Sequence, residues 1–312
     1  MKHRPVILSA GTIAVSAVAL ASALPTATPE TAMSAAATAS MNIRFLDRSD
    51  GRIAYTDEGA GPLVVMVPGL GDLKEEYRFL VPRLVAAGYR AVTVDLRGHG
   101  ASSTGWPDHA SAALGSDIVA LLKHLDAGPA TLIGTSMGAG AAAWAAAEAP
   151  EAFAGLVLIG PFVRNVPIAW WKNALFQTIV HTAFVGPWGP AAWGMYYASL
   201  YPSAKPADFD AYKARLVANL KEPGRMAALQ AMLAASKSDV EVRLGEIRAP
   251  ALVVMGTKDP DFDDPAAEAN TVARILNGRA LMIDGAGHHP HAEMPVATAP
   301  AILDFIARPA GA

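Results

Sequence analysis

The chain has no cysteine. That excludes a disulfide framework, thiolate catalysis and attachment to a lipid through a cysteine after a leader. Charge is sparse as well, at 17% of residues with a net of −3, and no long run of Lys or Arg occurs. Such a chain lacks the electrostatic footprint that a phosphate-backbone partner needs, so nucleic acid is not an expected partner. No internal repeat is visible, which argues against a solenoid or propeller. What is abundant is apolar: 52% of the 312 residues. That composition excludes disorder for the bulk of the chain, and the length suits one large domain or a domain with an insertion.

The two ends of the first forty residues read differently. Lys2, His3 and Arg4 precede an apolar stretch from Val6 to Leu24, and Ala21-Ser22-Ala23 has the small-x-small pattern of a signal-peptidase site. Residues 1–24 are therefore expected to be an export signal, with a retained membrane anchor as the alternative, because ~20 apolar residues span a bilayer. Residues 25–41 are almost all Ala, Thr, Ser and Pro. Such a segment cannot bury an apolar face and reads as a linker. The expected location is outside the cytoplasm, or on a membrane if the leader stays.

From Asn42 onward, short β-branched runs alternate with helical patterns, the signature of a mainly parallel sheet covered by helices on both faces. Ile43 to Asp47 and Arg52 to Thr56 flank Asp50-Gly51 and predict an antiparallel hairpin. Leu63 to Val67, Ala91 to Val94, Thr131 to Ile133, Leu156 to Ile159, Ala251 to Met255 and Ala280 to Ile283 are continuous apolar runs, as in strands covered on both faces. Helical patterns cover Glu75–Ala87, Gly115–Leu125, Met137–Ala149, Ala266–Leu276 and Val296–Ile306. From about Phe162 to Arg243 no strand pattern occurs. This interval, 162–243, reads as a helical cap inserted into a core of 42–161 and 244–312. It holds Trp170, Trp171, Trp188 and Trp193, four of the six Trp, followed by Tyr196, Tyr197 and Tyr201. Such rings either grip an apolar substrate over a cleft or form the cap's own core.

The chemistry centres on Gly134-Thr135-Ser136-Met137-Gly138, between a strand and an Ala-rich helix. A sharp strand-to-helix turn exposes the Ser136 hydroxyl and aims the Met137 N–H at the reaction centre, near a helix N-terminus that favours negative charge. A serine hydroxyl needs a base, and the base needs a carboxylate to fix its tautomer. Asp259, just after the run Ala251 to Met255, is the chosen acid; Asp261, Asp263 and Asp264 are read as solvated or as helix caps. His288, in Gly285-Ala286-Gly287-His288, is the chosen base, with His289 and His291 as rivals otherwise read as pocket-lining or helix-start residues. His99 and His124 are read as structural. Leu70, in Pro68-Gly69-Leu70-Gly71-Asp72, is the candidate second backbone donor to an oxyanion. The mechanism calls for no metal or organic cofactor, and the sequence shows no clustered His and carboxylate ligands.

With these segments in order, the sequence resembles the α/β-hydrolase superfamily, in particular its capped, esterase-like members. The resemblance is carried by Val67-Pro68-Gly69-Leu70-Gly71, Asp95-Leu96-Arg97-Gly98-His99-Gly100, the turn around Ser136, and Gly285-Ala286-Gly287-His288 with Glu293 and Pro295. It covers nearly everything after residue 42 and implies the order nucleophile Ser136, acid Asp259, base His288. Many relatives have His-Gly where this chain has Pro68-Gly69, which keeps the Leu70 donor and leaves open what braces the loop. Ser at the nucleophile position disfavours haloalkane dehalogenase and epoxide hydrolase chemistry, which use Asp there. The resemblance implies cleavage of a small apolar ester-like substrate. The alternatives on the same residues are C–C hydrolysis, acyl transfer or perhydrolysis, and from another class a slow-turnover ligand-binding protein or a structural envelope protein.

Overall fold

The computed structural model describes residues 42–165 and 182–308. The leader, the linker, Trp170 and Trp171 lie outside the described residues.

The continuous apolar runs become buried strands of one eight-stranded sheet, in the order β1-β2-β4-β3-β5-β6-β7-β8. Strands β1 (Arg44–Arg48) and β2 (Gly51–Gly59) form the hairpin, and β2 pairs antiparallel with β4 (Arg90–Val94). From β4 onward, β3 (Leu63–Val67), β5 (Ala130–Thr135), β6 (Phe153–Ile159), β7 (Ala251–Gly256) and β8 (Arg279–Ile283) are parallel. Strand order reverses at β3, which lies between β4 and β5. A crevice at the C-terminal strand ends of such a switch point is where ligands bind in open α/β sheets.

The helices α1 (Val81–Ala86), α2 (Ser111–Leu125) and α3 (Met137–Glu148) follow β3, β4 and β5. Between β6 and β7 come α4 (Gly189–Ser199), α5 (Phe209–Leu220), α6 (Arg225–Ala234) and α7 (Ser238–Glu241), with no strand among the described residues. The chain closes with α8 (Pro265–Ile275), α9 (Pro290–Glu293) and α10 (Pro295–Ile306). Alternate residues of each central strand enter opposite layers. Val65, Val67, Leu132 and Leu158 pack with α2 and α3, whereas Val64, Met66, Ile133 and Val157 pack with Leu84 of α1 and Ile302 and Phe305 of α10. Helix α3 is Ala- and Gly-rich because it is buried nearly all round. A Cβ on Gly115 of α2 would stand 2.5 Å from Trp144 and 2.9 Å from the Ala141 carbonyl, so the two helices meet almost backbone to backbone.

One predicted helix splits. Glu75–Ala87 is a 3-10 turn at Lys74–Tyr77 followed by α1, with Pro82 in the first turn of α1. Proline suits that position, where its missing N–H is not needed, so the helix restarts there. The 3-10 turn instead buries Lys74, Glu76 and Tyr77 beneath the C-terminal edge of the sheet. Among the described residues, no helix is long and apolar enough to cross a membrane.

Candidate active site

Ser136 stands between β5 and α3 with φ 55° and ψ −121°. A non-glycine residue in this region carries of order 1–3 kcal/mol of strain and persists only where its surroundings enforce it. Here they do. The Ser136 N–H donates to the Ile159 carbonyl at 2.8 Å, and its own carbonyl accepts from the Phe162 N–H at 3.2 Å. The flanking glycines allow the close approach: a Cβ on Gly138 would lie 2.3 Å from the Pro68 carbonyl oxygen, and one on Gly134 2.6 Å from the Gly138 carbonyl oxygen.

Asp259 and His288 arrive from two other strand ends. Gly256, the last residue of β7, lets the chain after β8 cross it, since a Cβ there would meet the Ala286 and Gly287 carbonyls at 2.2 and 2.1 Å. The Thr257 and Lys258 N–H groups donate to Ile283 and Ala286, lacing the two loops together. Asp259 Oδ2 then lies 2.7 Å from His288 Nδ1, with both side chains buried. Nε2 of His288 has no hydrogen-bond partner among the described residues. Gly160, between the two residues that hold Ser136, packs on this ring; a Cβ there would be 2.9 Å from His288 Cε1. The fold thus brings Ser136, Asp259 and His288 to one corner of the sheet.

The Pro68–Asp72 loop comes to the same corner. A Cβ on Gly69 would stand 3.2 Å from Ser136 Cβ. The loop turns tightly, with the Asp72 N–H donating to the Gly69 carbonyl, and the Gly69 N–H donates to Glu76 Oε2 at 2.7 Å. Glu76 is therefore the brace that Pro68-Gly69 left open. Leu70 follows Gly69 in this loop, and Met137 opens α3, so the two candidate donor N–H groups belong to different elements.

Two expectations are corrected. Asp261 is not solvated: it accepts from the Tyr196 hydroxyl at 2.8 Å and lies 3.7 Å from His288 Nδ1. Asp264, by contrast, does cap α8, accepting from the Ala267 N–H, and Asp263 is exposed. His289 and His291 do more than start a helix. Both are buried against Glu76, a grouping of two histidines and a carboxylate that sequence reading did not find. His99 fits its structural reading, buried with Nδ1 on the Arg97 carbonyl. No local signal marks Glu76, which sits in what reads as an ordinary helix start; only the fold brings it to residues 289 and 291.

Electrostatics set His288 apart. Burial alone would lower its pKa, but the Asp259 and Asp261 carboxylates outweigh burial and raise it to about 9. Burial raises the pKa of Asp261, against the lowering pull of His288.

The cap's aromatic residues divide. Tyr197, Tyr201, Phe209 and Tyr212 cluster with Leu216 and also with Leu73 and Ala292, so they join the inserted helices to the rest of the fold, and Trp188 is exposed. Phe184, Trp193 and Tyr196 form a second ring cluster, and Trp193 packs on Gly71 of the loop beside Ser136. Phe162 and Phe262 stack on each other at 5.1 Å beside His288.

A family model described as alpha/beta hydrolase fold matches residues 62–295. The chain belongs to that family. Relatives carry the same fold. The chain is 29% identical to BpoC of Mycobacterium tuberculosis over 82% of this chain and 97% of that one, a protein whose name assigns it provisionally as a non-heme bromoperoxidase. It is 30% identical to part of the polyketide synthase ThaQ of Burkholderia thailandensis, matching over 80% of this chain but spanning 12% of the synthase's length. The solved structure of a hydrolase from Pseudomonas aeruginosa superposes with a TM-score of 0.72 at 25% identity, covering 86% of this chain and 99% of that one. The family, with the hydrolase among the matching structures, supports hydrolase chemistry.

Proposed function

We propose that this protein is a serine hydrolase that cleaves carboxylic esters with an apolar group through an acyl-enzyme on Ser136. The observation that carries the reading is the strained Ser136 turn at the same corner as a buried Asp259–His288 pair 2.7 Å apart. Nδ1–H of His288 donates to Asp259, which leaves Nε2 to take the Ser136 hydroxyl proton. The Ser136 oxygen attacks the ester carbonyl, and the tetrahedral oxyanion is held by the N–H groups of Leu70 and Met137. His288 then gives its proton to the leaving alcohol as the C–O bond breaks. Water, deprotonated by the same imidazole, attacks the acyl-enzyme and releases the acid and free Ser136. Phe162, Phe184, Trp193 and Phe262 make the surroundings apolar, which favours apolar acyl or alcohol groups.

The test is hydrolysis of p-nitrophenyl esters of increasing acyl length by wild type and by a folded Ser136→Ala variant, with mass spectrometry of the protein after exposure to a fluorophosphonate. The expected result is turnover in wild type alone and a single adduct on Ser136. Equal turnover in both proteins, or an adduct elsewhere, sinks the reading.

The name of BpoC favours a second outcome on the same residues, in which hydrogen peroxide rather than water attacks the acyl-enzyme and leaves as a peracid. Bromide oxidation that requires both acetate and peroxide, and that is lost in Ser136→Ala, would separate it from plain hydrolysis.

A further inference from the structure

We propose that Glu76, His289 and His291 form a binding site for one divalent transition-metal ion, next to the loop that carries Leu70. All three side chains are buried. One oxygen of Glu76 and one ring nitrogen from each histidine lie within 4.8 Å of one another. His291 Nε2 is 2.9 Å and His289 Nδ1 3.5 Å from Glu76 Oε1. Ligand atoms bound at about 2.0–2.2 Å to a shared ion stand roughly 3–3.5 Å apart, so these separations are those of neighbouring ligands.

The second observation is polar bookkeeping. Glu76 Oε1 lies close to His289 Nδ1 and His291 Nε2, yet none of these atoms, nor His291 Nδ1, is aligned as a hydrogen bond with another group among the described residues. Buried polar atoms of three side chains thus converge on one point, where an ion between them would satisfy them together. Because both nitrogens of His291 are unpartnered, either ring orientation offers a ligand. Among the described residues, the ion pairs of Glu76 are with His289 and His291, and no Lys or Arg joins them.

The surroundings suit a metal centre. His289 turns its outer nitrogen, Nε2, toward Asp72 Oδ2 at 3.8 Å, and Asp72 in turn accepts from the Tyr212 hydroxyl at 2.8 Å. At 3.8 Å this is proximity and not a hydrogen bond, so Asp72 would back the ligating imidazole only after a small adjustment of the ring. His289 stacks on Tyr201 and His291 on Tyr77, which fixes both ring planes. Glu76 keeps its other oxygen on the Gly69 N–H. Two imidazoles and one carboxylate select Zn²⁺, Fe²⁺, Co²⁺ or Ni²⁺ over Ca²⁺ and Mg²⁺, which prefer oxygen alone. The ion would fasten the 74–77 turn to the segment after His288 and, through Glu76, hold the Gly69 peptide in place.

The competing occupant is a proton, which would make the same atoms a carboxylate–imidazolium pair. The test uses the full protein purified without chelators, then stripped and reloaded with Zn²⁺ or Co²⁺. Expected are one metal per chain surviving gel filtration, visible d–d bands of four- or five-coordinate Co²⁺, and a melting temperature raised by at least about 5 °C on reloading. Glu76→Gln and His291→Ala are expected to retain less than a tenth of the metal. Wild type that holds neither ion and shows no thermal shift overturns the site, whether or not the variants fold. Undiminished stoichiometric metal in folded variants overturns it too, by placing the ion elsewhere.

Discussion

His288 and His289 are adjacent in the chain and equally buried, yet they keep opposite company. The His288 ring has Asp259 within hydrogen-bond distance and Asp261 behind it, and its pKa rises to about 9. The His289 ring faces Glu76 at 3.5 Å; burial dominates and takes its pKa down to about 4, with the nearby His288 and His291 pushing the same way. The two rings stand perpendicular, 5.1 Å apart. Burial penalises both imidazolium ions, so the contrast comes from how many carboxylates stand close and in line. One turn of sequence thus supplies a base that can hold a proton and a neighbour that avoids one.

The comparison breaks most completely at its reacting end. Ser136→Ala is expected to reduce ester turnover on the order of 10⁴-fold or more with an unchanged melting curve, measured by steady-state kinetics and circular dichroism. Next in size is Asp259→Asn, which removes the charge that orients His288. Turnover is expected to fall on the order of 10³–10⁴-fold, and substrate affinity much less, as a kcat-against-KM split would report.

Smaller effects sharpen it. A neutral His288 is the active base, so kcat/KM is expected to rise with pH toward about 9. Asp261→Asn deletes one carboxylate that lifts His288, so this limb should move to lower pH. A limb that stays put removes Asp261 from the account. Tyr196→Phe, which strips Asp261 of a donor that favours its charged form, should move the limb the same way by less. The raised pKa also bears on folding. Since His288 binds its proton more tightly folded than unfolded, its contribution to stability is full below about pH 6.5 and is lost as pH rises through about 9. Urea midpoints should fall across that window in wild type and fall less in His288→Gln.

Much of the frame is legible in the sequence because its signals are local. The apolar runs of β3, β5, β6 and β7 mark buried strands, and Ser136, Asp259 and His288 each follow a strand end, which places them on one edge. Asp261 misleads because three nearby aspartates look alike in sequence; the distinction is made by Tyr196 of α4, brought in by tertiary packing. Glu76 misleads for the same reason. Its segment has the composition of a helix start, and the histidines that meet it belong to the far end of the chain. Long-range meetings of single polar residues leave no periodicity to read.

Glu293 takes three N–H groups at once, those of Gly287, Ser203 and Ala204, and the His288 N–H donates to the Leu200 carbonyl. One carboxylate therefore pins the stretch leaving α4 to the very turn that presents His288. The placing of the base and the placing of the inserted helices are therefore one decision of the fold: Leu200–Ala204 and the His288 turn share the same anchor.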